Sequence, residues 1–104
     1  MVIGLRPERV ADCKHLHADV WPGVLAAMRR NGWSDFDIFL KEPEYLLFGT
    51  FKFDGADFAA SARAIGEDPE THAWLQLTDP CQAPFDTRKP GEWWAYMENV
   101  FHMD

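Results

Sequence analysis

The chain has 104 residues, enough for one core without disulfide staples and too few for a separate cofactor-binding domain, so residues 1–104 read as a single domain. Seventeen acidic against ten basic residues give a formal charge of −7, and no basic run or face interrupts it, which argues against nucleic acid as a partner. No apolar stretch approaches the length of a membrane span and no charged leader with a cleavage site precedes the first apolar run. The expected setting is therefore cytoplasmic, with no membrane partner.

Val2 to Leu5 is a short apolar run that suits a first strand, ended by Arg6-Pro7. A helix is predicted from about Pro7 or Glu8, with Glu8 and Asp12 in its early turns. Arg29, Arg30 and Asn31-Gly32 close it, as the helix dipole and a left-handed cap favour. Phe36, Ile38 and Leu40 then mark a strand, Lys41-Glu42-Pro43-Glu44 a turn, and Tyr45 to Phe53 its hairpin partner. After Asp54-Gly55, Phe58, Ala62 and Ile65 define a short helix closed by Gly66. Asp68-Pro69-Glu70 opens another, with Trp74 and Leu77 on one face. Thr78 to Gly91 holds three prolines and no periodicity, which reads as a long loop. Trp93 to Met103 is aromatic and β-favouring, and is predicted as the last strand.

The order β-α-β-β-α-α-β predicts an α+β, ferredoxin-like domain: an antiparallel sheet with helices on one face. Phe36, Phe39, Phe48 or Phe51, depending on register, would then populate a sheet face that no helix covers. Pairing two copies of that face, or lining a pocket between them, predicts a homodimer. Five Trp and eight Phe are more rings than so small a body hides, which points to the same interface or to an aromatic pocket. Cys13 and Cys81 read as free thiols rather than a disulfide.

Val10, Cys13, His17, Val20, Val24 and Met28 recur at the spacing of one helical face, so His17 points inward. An inward histidine is often a core residue bonded to the backbone. It is also the side chain best suited to exchange protons near neutral pH in a sheltered pocket. Pro22 either breaks the helix just beyond His17 or opens a second helix at its first turn. His15 lies about 200° around the helix from His17, so the two do not chelate one ion, and no metal site is expected.

The motifs HADVWP (His17–Pro22), GWSDFDIFL (Gly32–Leu40), LLFG (Leu46–Gly49), AWLQLTD (Ala73–Asp79) and VFHM (Val100–Met103) span nearly the whole chain. In that order they resemble the L-rhamnose mutarotases, small ferredoxin-like dimers, or dimeric α+β barrels, that equilibrate the anomers of a free sugar. The resemblance implies a general-acid role for His17 and places the second tryptophan of a paired Trp-Trp at Trp74. Positions usually tyrosine in that family read Cys13 and Phe36 here, and the first tryptophan of the pair reads Ala73. Each of these positions loses a sugar-contacting hydroxyl or a ring, so L-fucose rivals L-rhamnose as substrate.

Anomer exchange moves protons and no electrons or groups, so no metal or organic cofactor is expected. His17 would donate to the ring oxygen, and Asp79 or a water would serve the anomeric hydroxyl. Trp74 would stack on the apolar sugar face, with Trp21 and Phe36 completing the wall unless they are ordinary packing. Two other classes remain open at this level: a haem-degrading or quinone-oxidising monooxygenase on the same scaffold, and a module that binds sugar without catalysis.

Overall fold

Strand β1, Val2–Leu5, alternates its burial so that Ile3 and Leu5 enter the core, and it is the first element of a computed structural model that describes residues 1–104. A 3-10 turn at Pro7–Arg9 leads into α1, Val10–Ala18, and after a break at 19–21 the chain resumes as α2, Pro22–Arg30. The single helix predicted here is thus two. Proline carries no N–H for the Ala18 carbonyl and drives the preceding residue out of the helical region. Trp21 is accordingly extended, at φ −60° and ψ 135°, and Pro22 takes the first turn of the new helix.

Strands β2, Trp33–Lys41, and β3, Leu46–Phe53, form the predicted hairpin. Their register slips between Ser34 and Asp37, where β2 spends three steps against two on β3. Asp35 sits in this bulge at φ 48°, a left-handed conformation that aspartate tolerates better than most residues. The extra residue changes which face the side chains reach. Trp33 and Phe36, three apart, lie on the same side and stack at 5.9 Å, and Phe51 stacks on Trp33 at 4.0 Å.

Helix α3 is Phe58–Glu67, and α4, Pro69–Thr78, begins where Asp68 predicts. Asp57 accepts from the Ala60 amide at 3.0 Å and Asp68 from the Thr71 amide at 3.0 Å, each supplying a partner for a free helix N–H. The Trp33 indole donates to Ser61 Oγ at 2.9 Å, and Ser61 donates on to the Asn31 carbonyl at 2.7 Å, tying α3 to the start of β2.

The fourth strand departs from the sequence reading. Strand β4 is Gln82–Ala83, inside the segment predicted as loop, whereas 93–103 contributes only a bridge from Ala95 to Val2. Both pieces use one edge of β1: Ala83 pairs with Gly4, and Ala95 exchanges two 2.8 Å bonds with Val2. The excursion 84–94 separates them. A Cβ at Gly4 would lie 2.5 Å from the Ala83 carbonyl oxygen, so this close approach requires glycine.

The sheet order is β2-β3-β1-β4 with all pairs antiparallel, the ferredoxin-like arrangement, and the architecture is α+β. Ile3, Leu5, Cys13, Leu47 and Cys81 form the core cluster beneath α1. By strand alternation, Phe36 and Phe51 face the helices, and Phe39 and Phe48 pair on the opposite face, where Phe39 is 59% exposed.

Candidate active site

His17 lies in the last turn of α1, immediately before the break that Pro22 enforces. Its Nδ1 is 2.9 Å from the Cys13 carbonyl oxygen, and the Cys13 sulfur lies 3.6 Å from the same nitrogen. A carbonyl only accepts, so Nδ1 carries the proton of this bond and, in the neutral ring, the lone pair belongs to Nε2. Nε2 has no partner within the chain. The imidazole meets the indole of Trp74 edge to face, with centroids 5.9 Å apart and planes at 86°. Trp21 meets Trp74 in the same manner at 5.3 Å.

His17 and Trp74 border a cavity of about 670 Å³, within the range of small-molecule sites. Val24, Met28, Ile65 and Trp74 form its helical wall, and Trp33, Phe36 and Ile38 its sheet wall. His17, Thr78, Asp79 and Gln82 bring polar groups to a mostly apolar lining, with Trp93, Trp94 and Tyr96 supplied by the C-terminal segment. Burial pushes the Asp79 carboxyl up from its ordinary pKa, and no salt bridge or hydrogen bond holds its side chain. A carboxylate in that state is a stronger base than an exposed one. Burial also pushes the Cys13 thiol up, with Cys81 adding to the effect, which favours the uncharged form of Cys13 suited to the core. No cluster of three His, Cys, Asp or Glu side chains is arranged to hold a metal ion.

A sequence profile described as L-rhamnose mutarotase matches residues 1–103. The chain belongs to the L-rhamnose mutarotase family. It is similar to an L-rhamnose mutarotase of Mesorhizobium japonicum, 36% identical over 99 residues that cover 95% of this chain and 90% of the relative. An L-fucose mutarotase of Xanthomonas campestris pv. campestris is 30% identical over 87 residues, covering 84% of this chain and 69% of that protein. In solved structures, an L-rhamnose mutarotase from Formosa agariphila superposes with a TM-score of 0.73 at 22% identity, covering 99% of this chain and 94% of that one. This likeness supports the ferredoxin-like fold. Membership of a family of carbohydrate isomerases sets the oxygenase reading aside.

For this member of the mutarotase family, the side chains singled out in the sequence divide into two groups. His17, Trp74, Phe36 and Asp79 border the cavity together. Cys13 and Trp21 do not: Cys13 packs into the core with Ile3 and Leu47, and Trp21 stands against the edge of Trp74. Cys13 satisfies the inward stripe, yet a helix beside a core and a cavity has two inward destinations, and Trp21 lies in the break between α1 and α2. Sequence reasoning also missed Gln82, Trp93 and Tyr96. Gln82 sits in a strand of two residues, too short to show a period, and the Trp93-Trp94 pair was read as strand rather than as cavity wall.

Proposed function

We propose that residues 1–104 form one mutarotase domain that interconverts the α and β anomers of a 6-deoxy-L-hexose, L-rhamnose or L-fucose, with His17 as the general acid and base. The observation that carries this reading is the Nδ1 bond to the Cys13 carbonyl, which leaves Nε2 of a cavity-lining imidazole free for a substrate. In the protonated ring, Nε2–H gives its proton to the ring oxygen as the bond from that oxygen to the anomeric carbon breaks. The anomeric hydroxyl loses its proton to Asp79 or to a water, and an open aldehyde results. Rotation about the adjoining carbon–carbon bond and reversal of both transfers closes the other anomer. Protons balance, and the same nitrogen serves both directions.

Trp74 has two tasks in this account. Its edge-to-face contact holds the imidazole plane, and its indole offers an apolar surface to the sugar C–H groups and methyl. Phe36 faces it across the cavity from the sheet, and Cys13 and Trp21 support His17 and Trp74 from behind.

The uncovered sheet face supports a homodimer, because exposed Phe39 and its neighbour Phe48 gain from pairing with a second copy. Two buried free thiols fit the cytoplasm, and no helix is long and apolar enough to cross a membrane. The function is tested by saturation-difference proton NMR of α/β exchange with L-rhamnose, L-fucose, L-galactose and D-glucose. Acceleration for at least one 6-deoxy-L-sugar is expected. Saturable binding with no acceleration for any sugar would leave a binding module instead.

A further inference from the structure

Gln82 is only 4% exposed, yet it borders the cavity. Its Oε1 accepts the indole N–H of Trp93 at 2.7 Å. An indole nitrogen donates and does not accept, so this bond fixes which end of the amide is which. The oxygen faces Trp93 and the NH₂ faces away from it. No group in the chain accepts from that NH₂, and no fully enclosed side-chain nitrogen or oxygen of the protein lacks a partner. The Gln82 amide nitrogen is therefore not fully enclosed and keeps both donors unspent, at a residue that borders the cavity.

The surroundings hold this arrangement in place. Strand β4 pairs Gln82 with Leu5 and Ala83 with Gly4, so the Gln82 backbone is part of the sheet. The excursion 84–94 returns the chain so that Trp93 lies over Gln82, and the Arg88 guanidinium lies 6.0 Å from the Trp93 ring centroid. Asp79 borders the same cavity three residues before Gln82 and offers only acceptors when ionised. Nothing else on that stretch supplies an oriented donor.

Resting on the mutarotase reading, we infer that Gln82 recognises one hydroxyl of the bound pyranose by donating from its amide nitrogen, with Trp93 as the positioning residue that fixes the amide. The ligand chemistry is a ring hydroxyl oxygen, and the pair sets which sugars are accepted rather than how fast the proton moves. A buried donor that meets no acceptor costs binding energy, so a sugar lacking that hydroxyl is discriminated against by the wild-type site and not by one without the donor.

The test measures exchange kinetics of the purified protein on its best sugar and on analogues of it deoxygenated at one ring position each. Gln82→Glu preserves shape and the acceptor for Trp93 but removes the donor, and Gln82→Leu removes both. Trp93→Phe, at a partly exposed ring, removes the N–H that orients the amide and keeps an aromatic side chain. Each Gln82 variant should raise KM for the intact sugar by about tenfold to a hundredfold with kcat little changed. The penalty should vanish for one analogue alone. Trp93→Phe should show the same analogue dependence with a smaller penalty. An equal loss on every analogue, or no loss with any variant, overturns the assignment while leaving the mutarotase reading intact. A wild-type protein that accelerates no sugar overturns both.

Discussion

His17 Nδ1 and the Cys13 carbonyl oxygen, four residues apart on α1, are joined by a 2.9 Å hydrogen bond. The bond converts a residue that a helical stripe would simply bury into one with a defined tautomer and a free Nε2. A catalytic histidine needs both properties, because the nitrogen that meets substrate must alternate between lone pair and proton. Trp74 holds the ring from one side, and the break at Pro22 ends the helix before another turn covers it.

Asp79 ties the proposed function to stability. Burial raises its carboxyl pKa, so the folded state binds this proton more tightly than the unfolded state does. Its contribution therefore favours folding at low pH and is lost as pH rises through the folded-state value, above the ordinary carboxylate range. Asp79→Asn removes the ionisation and should raise the midpoint of thermal unfolding at pH 7 relative to wild type. The gain should shrink toward pH 4. Anomer exchange should fall in the same variant, and an unchanged rate would assign the second proton transfer to water.

Phe36 reaches the cavity on the face that it shares with Ile38, and the Asp35 bulge brings Trp33 to the same side. Phe36→Tyr adds a hydroxyl at the position where the resemblance to the family implies tyrosine. Relative exchange rates should shift toward L-rhamnose over L-fucose. Identical ratios across the sugar panel would remove this position from substrate choice.

Phe39 lies on the face that the helices leave uncovered, 59% exposed. Sedimentation equilibrium should give twice the chain mass for the wild type and the single-chain mass for Phe39→Lys, since a desolvated lysine opposes the pairing of two apolar faces. A monomeric wild type at micromolar concentration would contradict the dimer.

Much of this architecture is legible from local chemistry. Asp68 announces a helix start by the bond that the structure contains, and Glu42-Pro43 marks the hairpin turn. The candidate site was legible where periodicity and resemblance agreed, as at His17 and Trp74, which both border the cavity. Three features escaped for physical reasons. The Asp35 bulge leaves no pattern in the sequence, because one extra residue changes the facing of Trp33 without changing its identity. The β4 pairing is two residues long and depends on Gly4 allowing the Ala83 carbonyl to come close. Gln82 and Trp93, eleven residues apart, meet only because the intervening excursion folds back, and such a contact has no local signal.

The most direct measurement compares α/β exchange by saturation-difference NMR for wild type and His17→Ala at matched concentration, after circular dichroism shows that both are folded. Loss of a positioned general acid and base predicts a fall of about 10²- to 10⁴-fold for the preferred sugar. A His17→Ala protein that exchanges anomers at the wild-type rate would contradict the account, because proton transfer would then lie with another group.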